Sequence, residues 1–328
     1  MKIAITGSIA TDHLMRFPGR FRDSFVEGKL DRISLSFLVE DLEVRRGGVA
    51  PNICFGMGML GLKPILVGAV GADFVDYRSW LERHNVDTHS VHVSDSRHTA
   101  RFICTTDDEA NQLASFYPGA MSEARDIELK PVADRVQGLD LVLVGPNDPE
   151  AMLRHTDECR FRGIAFVADP SQQLARMDGD DIKSLVDGAA FLFTNDYEAS
   201  LIEQKTGWSR EEIAARVDVR VTTLGAEGSR VELRDGTVIE VPVAAEETIL
   251  DPTGVGDAYR AGFLAGLAWG VGYERCAQIG SLLATYVIET IGTQEYHISQ
   301  QLFLDRFAHA YGADASAEIA AFINCPRG

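Results

Sequence analysis

Short apolar runs rich in β-branched residues alternate with longer amphipathic segments along most of the chain. Near-continuous apolar runs of this kind are typical of parallel strands that are covered on both faces. The segments between them have the periodicity of helices. This alternation predicts an α/β fold in which a doubly wound, mostly parallel sheet lies between two layers of helices.

The same pattern gives the bounds of the predicted elements. Core strands are predicted at 2–6, 64–70, 141–145, 164–168, 191–194 and 219–223. Helices are predicted at 50–60, 73–84, 149–162, 180–187, 196–206, 210–217, 257–269, 273–289, 300–311 and 315–323. A further hairpin, 231–233 with 237–243, is predicted from the Asp235-Gly236 turn between its strands.

Two regions interrupt the alternation, and each is predicted as an antiparallel hairpin. Their strands are 34–37 with 42–46 and 99–105 with 112–116. We expect both hairpins to form one small antiparallel sheet that projects from the core as a lid. The predicted core comprises 1–12, 47–95 and 119–328, and the predicted lid comprises 13–46 and 96–118.

Charge and composition exclude some classes of function. The 328 residues include 49 acidic and 31 basic side chains, a net charge of −18, which disfavours nucleic-acid binding as the main role. The five cysteines are never spaced as a CxxC pair, which favours a reducing compartment. The longest apolar stretch is too short to span a bilayer, so we expect a cytoplasmic protein without a membrane segment.

The segment Asp251-Pro-Thr-Gly-Val-Gly-Asp257 precedes a long apolar helix. Glycines at the start of a helix let backbone N–H groups converge on an anion, and the helix dipole adds to this attraction. Asp257 falls in the first helical turn, beside that anion site. A carboxylate there could take a proton from an attacking hydroxyl group; the alternative is that Asp257 only caps the helix.

A second segment, Gly47-Gly48-Val-Ala-Pro-Asn52, also places two glycines before a helix. Asn52 lies in the first turn, where its side-chain amide can face a ligand. The alternative interpretation of this segment is an ordinary loop followed by a helix cap.

Together these segments resemble the two signatures of the ribokinase-like (PfkB) carbohydrate and nucleoside kinases. The first signature runs from Gly47 through Asn52 to Gly71, and the second covers 251–264. Three further motifs match in the family's order, and the resemblance covers essentially the whole chain: Gly7-Ser8 with Asp12, Asn195-x-x-Glu198, and Thr223-x-Gly225-x-x-Gly228. More narrowly, Asp-Pro-Ser-Gln-Gln and Asp-Pro-Thr-Gly-Val-Gly-Asp resemble the adenosine kinases of actinobacteria.

The resemblance implies a ribokinase-like fold and transfer of a phosphoryl group from ATP to the 5′-hydroxyl of adenosine, as in purine salvage. It implies that Asp257 is the general base for this hydroxyl. The backbone N–H groups of Gly254, Val255, Gly256 and Asp257 would then hold the transferring phosphoryl group.

The resemblance also implies how the substrates and ions are bound. The implied sugar-site residues are Ser8, Asp12, Gly48 and Asn52, and the implied ATP-site residues are Asn195, Thr223, Gly225, Gly228 and Gly256. Glu198 would organise Mg²⁺, through water, and Asp251 with Thr253 would lie near a monovalent cation such as K⁺. Phe102 and Phe116 are candidates to stack on the adenine base, and Gln172 or Gln173 is a candidate to bind its edge. Alternatively, the two phenylalanine rings only pack the lid strands together.

Two other functions remain open at this point. One is a kinase of the same family that acts on ribose, a hexose or another nucleoside. The other is a sugar or nucleoside sensor that kept the fold and lost catalysis, which the intact Asp257 and the adjacent glycines disfavour. Family members often pair their lid sheets, so the resemblance also implies a homodimer.

Overall fold

The structure, a computed structural model, describes residues 1–25 and 35–324. Its strands are β1 (Ile3–Thr6), β2 (Ala10–Arg16), β3 (Asp41–Gly47), β4 (Ile65–Val70), β5 (Asp87–Val93), β6 (Ala100–Thr106), β7 (Gln112–Tyr117), β8 (Leu141–Val144), β9 (Ala165–Ala168), β10 (Phe191–Asn195), β11 (Val219–Thr223), β12 (Ser229–Leu233) and β13 (Val238–Val241). Its helices are α1 (Phe21–Ser24), α2 (Val49–Met59), α3 (Val75–Arg83), α4 (Leu129–Val136), α5 (Pro149–Arg162), α6 (Gly179–Val186), α7 (Asp196–Thr206), α8 (Arg210–Ala214), α9 (Val255–Trp269), α10 (Tyr273–Ile288), α11 (Gln300–Tyr311) and α12 (Ala313–Ile319).

The larger sheet contains nine of these strands, in the order β13-β12-β11-β10-β9-β8-β1-β4-β5. All neighbouring strands from β11 to β5 are parallel, and the β12–β13 hairpin extends the sheet in antiparallel fashion. After β1 the chain builds one side of the sheet and then returns to build the other from β8. The strand order therefore reverses between β1 and β8, where ligands of open α/β sheets bind beyond the carboxyl ends of the strands.

Helices cover both faces of this sheet, as the alternating pattern predicted. One apolar core includes α2, α9, α10 and α11, and a second includes α4 to α8. The β-branched and aromatic side chains of the strands divide between these two cores. The predicted three-layer, doubly wound fold is confirmed.

The smaller sheet has the order β3-β2-β6-β7. Its outer pairs, β2–β3 and β6–β7, are antiparallel, whereas its central pair, β2–β6, is parallel. The predicted partner of β3 was wrong: residues 35–37 form no strand, Ser34 lies outside the described residues, and β3 pairs with β2 instead. The proposed lid boundary at residue 12 therefore falls inside β2.

Two elements of the core were not predicted. β5 is an edge strand with the sequence DTHSVHV, whose polar residues hide the strand pattern. α4 is only eight residues long, and the helical spacing of its apolar residues Leu129, Val132 and Val136 was overlooked. Cys54, Cys104, Cys159 and Cys276 are buried free thiols, and Cys325 lies outside the described residues. Within 1–25 and 35–324, no helix is long and apolar enough to cross a bilayer.

Candidate active site

A cavity of about 760 Å³ lies at the carboxyl ends of the parallel strands, beneath the small sheet. It brings together most of the residues that the sequence motifs singled out. Those that line it are Ser8, Asp12, Gly48, Asn52, Phe102, Phe116, Gln172, Gln173, Asn195, Glu198, Thr223, Gly225, Thr253, Gly254, Gly256 and Asp257. Three predicted site residues do not line it, namely Gly228, Asp251 and Val255.

The first turn of α9 forms one wall of the cavity. Gly254 is the N-cap residue and has the left-handed conformation, with φ of 78°. Among the described residues, the N–H groups of Gly254, Gly256 and Asp257 have no hydrogen-bond acceptor. Unpaired amides at the positive end of a 15-residue helix favour an anion at this position.

Val255 departs from its predicted place in this anion site. Its N–H group is directed at Pro252 O, 3.4 Å away, and its side chain packs against the apolar core. The three remaining amides of the turn are therefore the available donors.

Asp257 is half-buried at the cavity wall, and its Oδ2 accepts a hydrogen bond of 2.9 Å from Asn52 Nδ2. Burial raises the pKa of Asp257 to about 7, while the Asn52 hydrogen bond and the positive charge of Arg260 oppose this rise. A carboxylate with a pKa near neutrality is suited to accept a proton in the neutral pH range. A residue that only caps a helix would not require this raised pKa.

Asn52 reaches Asp257 because α2 begins close to β1. Gly48 has φ of 96°, and a Cβ atom there would lie 2.5 Å from Ser8 O, so this close approach requires glycine. The side chain of Asn52 does not cap α2; its amide bridges Asp257 and Thr293. The interpretation of this segment as only a loop and a cap was wrong.

A buried ion pair that the motifs did not reveal lies beside Asp257. Arg260 Nη2 donates to Asp169 Oδ1 at 2.6 Å, and Nε lies 2.5 Å from Oδ2. Arg260 Nη1 also donates to Gly256 O at 3.1 Å. Although burial would lower the pKa of Arg260, the charge of Asp169 raises it overall, so the guanidinium stays charged at the cavity wall.

Two signals in the sequence could have found this pair. Arg260 follows Asp257 by three residues, which places both on one face of a helix. Asp169 follows β9 directly, at the carboxyl edge of the sheet where ligands bind. Thr293, which also lines the cavity, lies in an irregular segment and has no comparable signal.

The lid contributes a row of side chains to the cavity. Asp12 on β2 is in register with Phe102 on β6, and Phe102 is in register with Phe116 on β7. All three line the cavity. Within the described residues Asp12 accepts no hydrogen bond, and its burial raises its pKa despite the nearby Arg45. The row therefore offers a free carboxylate next to two aromatic rings.

Asn195 and Glu198 form a capping box at the start of α7. Asn195 Oδ1 accepts from the Glu198 N–H, and Glu198 Oε2 accepts from the Asn195 N–H at 2.8 Å. The second oxygen of Glu198, Oε1, has no partner among the described residues. Glu198 lines the cavity, so it can meet a ligand while it caps the helix.

Of the three residues predicted to bind ATP from β11 and the turn after it, two line the cavity and one does not. Thr223 and Gly225 line the cavity, whereas Gly228 does not. Gly228 has φ of 99°, and a Cβ atom there would collide with Val241 O. This glycine is required where the turn packs on β13, and its contact with ATP stays a prediction.

The predicted cation site lies just behind the cavity wall. Asp251 accepts hydrogen bonds from the N–H groups of Thr253 and Gly292, at 2.9 and 3.1 Å, and Arg45 lies 3.6 Å away. Burial alone would raise the pKa of Asp251, but these hydrogen bonds and Arg45 lower it overall. In the described parts of the chain, no three His, Cys, Asp or Glu side chains are grouped to hold a metal ion.

The two glutamines on the loop after β9 differ in their surroundings. Gln172 is exposed, while Gln173 is buried and its Nε2 donates to Asn147 O at 2.6 Å. This bond fixes the amide of Gln173. Its Oε1 is buried and has no donor in the described structure.

The chain is similar to known kinases along most of its length. A sequence model described as "pfkB family carbohydrate kinase" matches residues 9–300. A nucleoside kinase of Methanocaldococcus jannaschii is 28% identical over 89% of this chain and 92% of that protein. One of Methanothermobacter thermautotrophicus is 32% identical over 76% of this chain and 80% of that protein. The Burkholderia thailandensis nucleoside kinase in complex with inosine superposes with a TM-score of 0.82 and 33% identity, over 94% of this chain and 99% of that one.

Proposed function

The chain belongs to the pfkB family of carbohydrate kinases, and we propose that it is a nucleoside kinase that transfers a phosphoryl group from ATP to the 5′-hydroxyl of adenosine. The observation that carries this proposal is the half-buried Asp257 beside the unpaired amides of α9. The relatives reported above are nucleoside kinases of archaea and Burkholderia, not actinobacterial adenosine kinases. The names of these relatives support a nucleoside as the acceptor. That the nucleoside is adenosine is our own proposal.

The proposed chemistry uses groups that are already oriented in the cavity. Asp257 takes the proton of the 5′-hydroxyl as this oxygen attacks the γ-phosphorus. The new O–P bond forms, the bond from the γ-phosphorus to the β-phosphate oxygen breaks, and ADP leaves. The free N–H groups of Gly254, Gly256 and Asp257 are placed to stabilise the charge of the transferring group.

The sugar half of the proposed site contains Asp12. Its carboxylate lines the cavity without a hydrogen-bond donor from the described residues, and its pKa is raised mainly by burial. A buried acceptor of this kind gains when a ligand supplies donors. The vicinal 2′- and 3′-hydroxyls of a ribose can both donate to one carboxylate.

Asp12→Ala is therefore expected to weaken adenosine binding about 10–100-fold, since a hydrogen bond to a charged group contributes about 1.5–3 kcal/mol. ATP binding should change little. Isothermal titration with adenosine and, separately, with an ATP analogue measures both affinities. If ATP binding fell and adenosine binding did not, the two halves of the site would be assigned the wrong way round.

Magnesium is expected to accompany the ATP phosphates and to neutralise part of their charge. The free Oε1 of Glu198 at the cavity wall fits this role. Mg²⁺ is usually held by one or two carboxylates, several waters and substrate phosphates. A single carboxylate with an unpaired oxygen therefore agrees with the absence of a dedicated metal cage among the described residues.

Glu198→Gln removes this charge but keeps the capping box, because glutamine also serves at the third helical position. We expect the Mg²⁺ titration of activity to shift roughly tenfold towards higher concentration, while the KM for adenosine changes little. Glu212→Gln is the matched control, because Glu212 forms the same box with Ser209 at the start of α8, away from the cavity. Equal titrations for the two variants would limit Glu198 to a capping role.

Gln173 supports adenine as the base. Gln173 lines the cavity, its Nε2 is held by Asn147 O, and its buried Oε1 has no donor among the described residues, so a ligand that reaches this oxygen could supply one. The 6-amino group of adenine can donate to such an acceptor, whereas the oxygen at this position of inosine cannot. Inosine is accordingly expected to be the poorer acceptor.

We also propose that the lid sheets join two copies of the chain. Support comes from large apolar side chains that are exposed on its outer strands: Leu42, Val44, Leu113, Phe116 and Tyr117. Exposed apolar patches on soluble proteins commonly mark interfaces.

A panel of acceptors tests the proposed function. Purified protein is mixed with ATP and Mg²⁺ and with adenosine, inosine, cytidine, ribose or fructose in turn, and release of ADP is followed. Adenosine should give the highest kcat/KM. Activity only with ribose or fructose would indicate a sugar kinase, and adenosine binding without release of ADP would indicate a sensor.

A further inference from the structure

Asn52, which contacts Asp257, is held by a chain of buried hydrogen bonds that extends away from the cavity. Asn52 Nδ2 donates to Asp257 Oδ2 at 2.9 Å. On the other side of the amide, Oδ1 accepts from Gln294 Nε2 at 2.8 Å and from Thr293 Oγ1 at 2.9 Å. Both ends of the Asn52 amide are thus in use, and only 7% of the residue is exposed.

Gln294 is anchored in turn. Its Nε2 also donates to the Tyr77 hydroxyl at 2.6 Å, and that hydroxyl donates to Gly47 O at 3.0 Å. Gln294 is 1% exposed and does not line the cavity. Of the two side chains to which Gln294 donates, Asn52 is the one that contacts Asp257.

From these contacts we propose that Gln294 is a positioning residue that fixes the orientation of the Asn52 amide so that its NH₂ group, and not its oxygen, faces Asp257. The proposal rests on the proposed function, because it assigns Gln294 an effect on the general base.

The orientation needs such a residue because the two ends of an asparagine amide have nearly the same shape. Rotation by 180° would place Asn52 Oδ1 against the Asp257 carboxylate, which is repulsive while Asp257 is ionised. Thr293 cannot prevent this alone. Its hydroxyl has one hydrogen and lies within bonding distance of both Asn52 Oδ1 and Arg46 O. Gln294 Nε2 can only donate, so it requires an acceptor at that end of Asn52.

The consequence is a lower affinity of Asp257 for protons. The Asn52 hydrogen bond lowers the pKa of Asp257 against the effect of burial. The charged and titratable groups that act on Asp257 from the surrounding elements are Arg260 on α9, Asp169 after β9 and Tyr296 after α10. Gln294 makes no hydrogen bond to any of these three, so its removal changes the Asn52 contact and leaves them in place.

The test is the pH dependence of kcat/KM for adenosine in Gln294→Met, which keeps the approximate size of the side chain, has no hydrogen-bond donor for Asn52 and adds no charge near Asp257. The acid limb of the profile should move up by about one pH unit, giving about a tenfold loss at pH 6 and less than about a threefold loss at pH 9. The control is Gln278→Met, which replaces a different buried glutamine that lies on α10. It should leave the acid limb of the pH profile unchanged.

Tyr77→Phe is a milder variant that removes one oxygen and the anchor of Gln294, and it should move the limb in the same direction by a smaller amount. Thermal melting shows which variants are folded. An unmoved acid limb in every folded variant at these two positions overturns the role of Gln294 while leaving the kinase proposal intact. A wild-type protein that transfers no phosphoryl group to any nucleoside overturns the proposed function itself.

Discussion

Replacing Asp257 by asparagine is expected to lower kcat by about 10²–10⁴-fold, the usual contribution of general acid–base catalysis, with little change in adenosine binding. Asparagine keeps the shape of the side chain and can still accept the hydrogen bond from Asn52, but it cannot take a proton. Single-turnover kinetics and an adenosine titration measure the two effects separately.

The control for this variant is Asp314→Asn, since Asp314 is also in the first turn of a helix but is exposed and far in sequence from the motif. This control should keep full activity. If Asp257→Asn retained more than about a tenth of the wild-type kcat, Asp257 would not be the base.

The same substitution should stabilise the fold in a pH-dependent manner. Burial raises the pKa of Asp257 to about 7 in the folded protein, above its ordinary value of 3.8. The protonated form is thus favoured by folding, and this stabilisation is lost as pH rises from about 4 through about 7. Asp257→Asn avoids that loss, so its free energy of unfolding should exceed the wild-type value at pH 8, by less than the roughly 4 kcal/mol that a fully buried carboxyl would give, and should differ little at pH 4.

The kcat/KM for adenosine should exceed that for free ribose by at least about 10³-fold. Phe102 and Phe116 line the cavity next to Asp12, and they offer aromatic surface that a base can cover and free ribose cannot. Base–aromatic stacking contributes about 1–3 kcal/mol per base. Part of this energy can position the reacting hydroxyl, so ribose should lose kcat as well as KM.

Phe102→Ala and Phe116→Ala should each narrow the preference, and Phe161→Ala is the control because Phe161 is 86% exposed and does not line the cavity. Steady-state kinetics with both acceptors measure the ratio. Comparable kcat/KM values for ribose and adenosine in the wild-type protein would contradict a nucleoside acceptor and indicate a sugar kinase.

Local sequence was sufficient for the strands of the large sheet other than β5 and for most of its helices, because buried parallel strands have continuous apolar runs and long helices have clear periodicity. Site residues could also be predicted when their position depends only on their own segment of the chain. Asp257 and the glycines before it sit at the start of α9, as the motif predicted. Gly225 lines the cavity because it immediately follows β11.

Other features depend on contacts between distant segments and could not be predicted in this way. Asn52 and Gln294 are 242 residues apart, and only the packing of α2 beside the segment after α10 brings them together. The pairing of β2 with β3 depends on register, because the sequence ATDHLMR has no simple alternation. Val255 was assigned to the anion site by its place in the motif, but its N–H group is directed at Pro252 O.

The most direct test of the account is the identity of the product. Wild-type protein and Asp257→Asn are incubated with ATP, Mg²⁺ and adenosine, and the products are examined by ³¹P NMR and mass spectrometry. We expect the wild-type protein to form AMP, with the phosphate on the 5′-oxygen and in equal amount to ADP, and the variant to form almost none. Consumption of ATP without a nucleoside 5′-monophosphate, or equal product from both proteins, would contradict the central claim.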